Sequence, residues 1–414
     1  MSTGAGAART MLQFIAAQQA NQTRFLAALV QTPSDNPPGD CMPHALRAAP
    51  LLEQLGFTVE RHPVPENLAR EAGMVSAMNL IVRERFGPGP VIALNAHGDV
   101  VPPGLGWSTD PYGAQIRDGT MYGRGVAVSK SDFATYAYAL LALKAAKVQL
   151  AGTVELHFTY DEEAGGEIGP QWLLKSGLSK PDYAICAGFA YGITTAHNGC
   201  LHLEVEVTGK SAHAARPDTG NDALEAANGM LTDLYAWRKT FASRRSAIPG
   251  IESPTLVVGL ISGGINTNVV PDNVKFRIDR RIIPDEDPAQ AERDLGERLS
   301  ASAAQWPGIE CRTRRILLAL PFTPVAGQER LVEAIRRRAR DVLGETIETH
   351  GVPIYTDARH YSAAGIPTVL YGAGPRTLLE ANGHRADEKL VLEDLRKATE
   401  IVACSLFDLM QADR

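Results

Sequence analysis

The sequence predicts a two-domain α/β protein: a mostly parallel sheet with helices on both faces, carrying an inserted ferredoxin-like α+β domain. Three observations predict it. The 414 residues exceed one ordinary core and suit two or so domains. Short apolar runs alternate with helical stretches in the first and last parts of the chain, as in a parallel sheet covered on both faces. Between about Leu201 and Ile316 the pattern changes to β-α-β-β-α-β, the order of a split ferredoxin-like unit.

Taken in order, the chain opens with a helix from about Ala8 to Val30, whose Met11, Ile15, Phe25 and Leu29 fall at helical spacing. The breakers in TPSDNPPGD stop it. A second helix follows, then the strands VIALN, TVELHFT and YAICA, alternating with helices such as SDFATYAYALLALKAA. LHLEVEVTG then alternates with period two, as a half-buried antiparallel strand does. A helix from about Asp222, the strands TLVVGLISGG and NVKFRIDRRI, the helix PAQAERDLGERLSASAA and the strand IECRTRRI complete the insertion. PTVLY is one more strand of the large sheet, and the last helix ends near Met410. The expected domains are residues 1–199 with 317–414, and 200–316 as the insertion.

Composition narrows the function. With 44% apolar and 21% charged residues the chain is globular and not disordered. A formal net charge of -6 argues against nucleic acid, which needs a basic surface. No apolar run approaches the roughly 20 residues that cross a bilayer, and MSTGAGAART lacks the basic start and apolar core of a secretory signal. A cytoplasmic protein is expected. Its five cysteines are scattered and odd in number, which fits reduced thiols and not a disulfide framework.

Chemistry-bearing residues cluster after strands. N-A-H-G-D follows VIALN, and Asp99 can hold one nitrogen of His97 while the other faces a metal or substrate. T-Y-D-E-E-A-G-G follows TVELHFT, and three adjacent acids repel unless a cation, proton or base compensates. His384 lies in G-H-R-A-D-E, His213 in G-K-S-A-H and Asn268 in G-G-I-N-T-N-V-V-P. Each has a bland reading alone: a hydrogen-bonded turn histidine, a solvated acidic turn, a polar loop.

In this order the motifs closely resemble the aminoacylase, carboxypeptidase G and succinyl-diaminopimelate desuccinylase family of dinuclear zinc hydrolases. N-x-H-x-D-V-V-P, D-G-x-x-Y-G-R-G, D-E-E-x-G-G, P-D-Y-A-I, G-K-x-A-H, G-G-x-x-x-N-V-V-P-D, D-R-R, T-D-A-R and H-x-x-D-E carry the resemblance over nearly the whole chain. It implies that His97 is a ligand of the first zinc, oriented by Asp99. It implies Glu162 as the general base, and Glu163 and His384 as ligands of the second zinc. His213 matches a histidine that, in dimeric members, reaches the neighbouring subunit's site and supports the oxyanion. Asn268, Arg281 and Arg359 match positions that contact a substrate carboxylate or the tetrahedral intermediate. The insertion corresponds to a lid and dimerisation domain.

Two expected ligands are missing. Val128 stands where the family has its bridging aspartate, and Gly188 where it has a Glu or Asp on the first zinc. Neither can bind a metal, so the two-metal site is expected to be absent. Asp132 lies near, but Ser129 and Asp132 fit a helix capping box. Three readings stay open. In the first, one divalent ion, zinc by donor type, is held by His97, Glu163 and His384, and a small carboxylate-bearing amide is hydrolysed with Glu162 as base. In the second there is no metal, and Glu162 works with His97, His384 or Lys130 in acid–base chemistry. Lys130 is then also a substitute charge against Glu162 and Glu163. In the third the pocket binds a carboxylate ligand without catalysis. A homodimer is expected throughout.

Overall fold

In the computed structural model, which describes residues 4–411, the strands form where apolar β-branched runs lie between helices. The chain begins with α1 (Gly4–Val30) and α2 (Met42–Gln54), then β1 (Val59–Pro63), α3 (Glu66–Glu71), β2 (Met78–Arg85) and β3 (Val91–His97). The short β4 (Gln115–Arg117) and β5 (Thr120–Tyr122) precede α4 (Lys130–Ala145), β6 (Thr153–Thr159), α5 (Pro170–Lys175), β7 (Tyr183–Cys186) and β8 (Ile193–His197). Next come β9 (Gly199–Thr208), α6 (Ala223–Arg238), β10 (Thr255–Gly263), β11 (Asn273–Ile282), α7 (Pro288–Ala303) and β12 (Glu310–Ala319). The chain closes with α8 (Gln328–Leu343), β13 (Thr349–Val352), α9 (Ala358–Ala363), β14 (Thr368–Leu370), α10 (Leu378–Ala381), β15 (Lys389–Val391) and α11 (Leu392–Leu409).

Two compact units result. One takes the chain up to Thr195, then Pro324–His350, then the chain from Thr356 onward. The other is Ala196–Thr323 with Gly351–Tyr355. The large sheet has the order β1-β2-β6-β3-β7-β14-β8-β13. Its centre, β6-β3-β7-β14, is parallel, while β1, β2 and β8 pair antiparallel. The expected parallel sheet is thus its central part. α4 packs on β3 and β6, with Phe133 stacked on Phe158 at 3.9 Å between ring centroids. α1 and α11 pack against α4, so α4 is buried almost all round.

The second unit is a four-stranded antiparallel sheet of order β10-β11-β9-β12 with α6 and α7. Leu201, Leu203, Val205 and Val207 alternate along β9 into the core that α6 and α7 cover. No helix among the described residues is long and apolar enough to cross a membrane.

Candidate active site

Open α/β sheets place their sites beyond the carboxyl ends of parallel strands, and the motif residues lie there. His97 ends β3 and pairs in register with Thr159, which ends β6. The turn of 3-10 helix Glu162–Ala164 follows β6 by two residues. Adjacent parallel strands therefore deliver the histidine and the glutamates side by side.

Asp99, fully buried, organises the cluster. Its carboxylate accepts hydrogen bonds from the backbone N–H groups of Glu162 (3.2 Å) and Glu163 (3.1 Å) and from Asn36 Nδ2 (3.0 Å). Its own carbonyl lies 2.9 Å from His97 Nδ1, closer than its Oδ1 at 3.3 Å. The imidazole's other nitrogen, Nε2, then faces Glu162 Oε2 at 4.0 Å. One ligand atom from each of His97, Glu162 and Glu163 lies within 4.8 Å of the others. His384 stands outside that set, its Nε2 3.3 Å from Glu163 Oε1, on an exposed loop where its φ is 60°.

Of the three adjacent acids, Asp161 turns away and accepts the Ile168 N–H at 2.7 Å. Asp357, which begins the turn into α9, is also buried and accepts from Thr159 Oγ1 at 3.3 Å. The T-D-A-R motif points to Arg359 by its charge, whereas the signal for Asp357 is only an acid just before a helix. Gly166 is in the left-handed region (φ 69°), and a Cβ there would come within 2.3 Å of Asp357 Oδ1 and 2.7 Å of His360 Nε2. The second glycine of D-E-E-A-G-G is therefore required by close approach.

The electrostatics are those of a carboxylate surplus. Burial first, then the neighbouring charges of Glu163 and Asp99, push Glu162 up to about 8 against the opposing pull of His97 and Arg359. Asp357 is raised by burial and by Glu162. Burial favours neutral His97, but the hydrogen bond to Asp99 and the charges of Glu162, Asp99 and Glu163 outweigh it and raise its pKa above the ordinary imidazole value. Asp161 Oδ1 and Asp357 Oδ1 are buried with no hydrogen-bond partner.

Two expectations are corrected here. Ser129 and Asp132 form no capping box: Ser129 Oγ bonds to the His97 backbone, and the Asp132 carboxylate accepts the N–H groups of Gly188 (3.3 Å) and Ala373 (2.7 Å). Lys130 does not oppose the glutamates. Its ammonium donates to Leu29 O (3.3 Å) and Thr32 O (3.0 Å) at the end of α1, where a cation complements the helix C-terminus. Burial pulls its pKa down to about 7.

The remaining predicted residues are accounted for within each unit. Arg359 is buried and donates to Gly165 O. In the second unit, exposed His213 accepts the Ala215 N–H at 3.0 Å and bridges to Val269, while Asn268 O accepts the Ala214 N–H at 2.9 Å. These two motifs are neighbours. Arg281 is bidentate to Asp279, at 3.0 and 3.2 Å. Glu388, unassigned from sequence, accepts the N–H groups of Ala127 (3.0 Å) and Val128 (3.2 Å) and pairs with buried Arg124. It thereby fixes the loop that carries Val128.

The family model of peptidase family M20/M25/M40 matches residues 93–408. The chain belongs to this family. It is similar to acetylornithine deacetylase of Proteus mirabilis (strain HI4320), at 28% identity over 359 residues, covering 85% of this chain and 86% of that one. Among solved structures it resembles the di-peptidase Dug1p from Saccharomyces cerevisiae, with a TM-score of 0.77 at 16% identity over 98% of this chain and 99% of that one. It also resembles Bacillus subtilis YXEP, a dinuclear metal binding peptidase from the M20 family, with a TM-score of 0.68 at 16% identity over 95% and 99%. As a member of the M20/M25/M40 peptidases the protein is placed among hydrolases of C–N bonds.

The family's dinuclear pattern meets an obstacle at Gly188. A Cβ there would lie 2.7 Å from Tyr371 N and 2.8 Å from Leu370 C, both backbone atoms at the end of β14. A side chain at this position would therefore collide with backbone at the end of β14.

Proposed function

We propose that the protein hydrolyses an amide bond, peptide or N-acyl, in a small substrate bearing a carboxylate, with Glu162 as general base and at most one divalent metal ion. The observation that carries this reading is the convergence of His97, Glu162 and Glu163 within 4.8 Å, beside buried carboxylates with unpartnered oxygens. That donor set fits one cation, since an imidazole and carboxylates are zinc-type ligands and the surplus negative charge needs compensation. His97 and Glu163 would hold the ion, with His384 completing the set through movement of its exposed loop. When bound, it would polarise the scissile carbonyl and promote ionisation of water.

The chain's own residues supply the rest. Glu162 takes a proton from the attacking water and returns it to the leaving nitrogen. Asp99 holds the Glu162 and Glu163 backbone and the His97 ring in register. His213, Asn268, Arg281 and Arg359 are the proposed groups for the substrate carboxylate and the developing oxyanion. Arg281 keeps Asp279 on its Nε and Nη2 and has Nη1 as a further donor for the substrate. The acetylornithine deacetylase and di-peptidase names of similar proteins support an amide substrate with a carboxylate. The cytoplasm is the proposed compartment, consistent with five cysteines outside any disulfide.

A metal-independent reading draws on one observation, the 4.0 Å approach of His97 Nε2 to Glu162 Oε2, which sets an imidazole and a carboxyl group side by side for proton exchange. Elemental analysis of protein purified without added metal decides between the two. At most one transition metal per chain is expected, with activity lost to a strong chelator. Two zinc ions per chain would overturn the ligand count, and activity surviving chelation would promote the metal-free reaction.

We further propose that residues 200–316 act as a lid and dimerisation domain. β10 is an edge strand with Leu260 and Ile261 more than half exposed, and two-fold edge pairing would cover it. Sedimentation at micromolar concentration should show a dimer, and Ile261→Lys should shift it toward monomer. A native chain that sediments as a monomer would refute this assembly.

A further inference from the structure

The second unit holds a cluster of metal-binding side chains that amide hydrolysis does not use. Cys200 and His202 are two apart on β9, so both project from the same face of the strand. That face is opposite the one that Leu201 and Leu203 bury against the core. Asp279 on β11 pairs in register with His202. β9 and β11 are the two central strands of this sheet, a rigid base for a site.

His202 Nε2 lies 3.1 Å from Asp279 Oδ2, and Cys200 Sγ lies 3.7 Å from Asp279 Oδ1. One ligand atom from each of the three falls within 4.8 Å of the others. Bond lengths of about 2.0 to 2.3 Å to oxygen, nitrogen and sulfur give a tetrahedron with edges of roughly 3.3 to 3.6 Å. The two measured separations straddle those edges. Cys200 is buried, whereas the side chains of His202 and Asp279 are 34% and 31% exposed, so an ion has an approach from one side. Arg281 holds both Asp279 oxygens, as hydrogen-bonded partners hold ligating carboxylates. Each oxygen keeps a second lone pair for a metal.

We propose that Cys200, His202 and Asp279 form a second metal site, specific for a thiophilic divalent ion of the zinc class, that staples β9 to β11. Thiolate and imidazole select such ions over magnesium or calcium. On binding, the Cys200 thiol proton leaves to solvent, the His202 proton resides on Nδ1, and the ion takes their place. Binding therefore releases one proton and strengthens as pH rises.

The test is a cobalt(II) titration of the full-length protein followed by absorbance. The His97 cluster contains no thiol, so a thiolate-to-cobalt charge-transfer band reports the Cys200 site alone. The band should grow to saturation, disappear on adding zinc, vanish in Cys200→Ser and persist in Cys311→Ser. His202→Gln, which changes a partly exposed side chain, should weaken cobalt binding by about tenfold or more. No band in the native protein would overturn the proposal. So would a band that survives in folded Cys200→Ser, or an unchanged affinity in His202→Gln, which decides the matter if Cys200→Ser does not fold.

Discussion

Glu162→Gln is expected to lower kcat by about 10²- to 10⁴-fold while leaving the fold intact. The substitution keeps the shape and removes the proton acceptor. The Glu162 backbone N–H still donates to Asp99, so the turn keeps its anchor. Metal content and melting temperature, measured beside kcat, separate loss of the base from loss of the site. Full activity in this variant would eliminate Glu162 as the base. The pH behaviour gives a second handle. Glu162 is raised to about 8 in the absence of a cation, so below that pH it is protonated and cannot accept a proton. A bound cation should move the limb of the rate profile to lower pH. The sign for stability follows from linkage: a carboxyl group raised in the folded state stabilises fully below its unfolded pKa. That stabilisation is lost as pH rises through about 8. Chelator-treated protein should therefore melt progressively lower from about pH 5 to about pH 8, between the unfolded and the folded pKa, and a divalent ion should remove the trend. A flat melting profile for chelated protein would refute the carboxylate-surplus account.

Gly188→Glu would place a carboxylate where the resemblance to dinuclear zinc hydrolases expects one. The expected result is the opposite of rescue: a lower melting temperature and no second metal ion. The new Cβ would meet backbone at 2.7 and 2.8 Å, and backbone cannot rotate aside as a side chain can. Tyr371 N donates to Cys186 O at 2.9 Å and Gly374 N to Gly188 O at 2.9 Å, so relief would require parting the strand ends that these bonds join. Overpacking of this kind costs about 1 to 3 kcal/mol, and immobile backbone places this case toward the upper end. Gly188→Ala tests whether space or charge is responsible. It adds the Cβ without a carboxylate and should show a substantial part of the same loss. A stable Gly188→Glu protein with two zinc ions would show that the strand ends can yield and that the site is dinuclear in principle.

Much of this was legible in the sequence because it is local. Period-two and helical spacing identified the strands and helices, since a strand or helix buries a face set by its own residues. His97, Asp99, Glu162 and Glu163 announced themselves by following apolar strands, and the sheet register then carried them together. Other features depended on residues distant in the chain. Ser129 and Asp132 have the spacing of a capping box, yet Asp132 bonds to Gly188 and Ala373 because burial brings their N–H groups to it. Lys130 sits two residues after the loop valine, but its ammonium is claimed by carbonyls at the end of α1, about a hundred residues earlier. Asp357 joined the site only through packing, as its neighbours Thr159 and Gly166 lie far back in the chain. At position 188 the sequence by itself determined that no side-chain ligand is present. Only the tertiary structure decided that none can be accommodated, because the neighbouring parallel strand brings its backbone to where a side chain would begin.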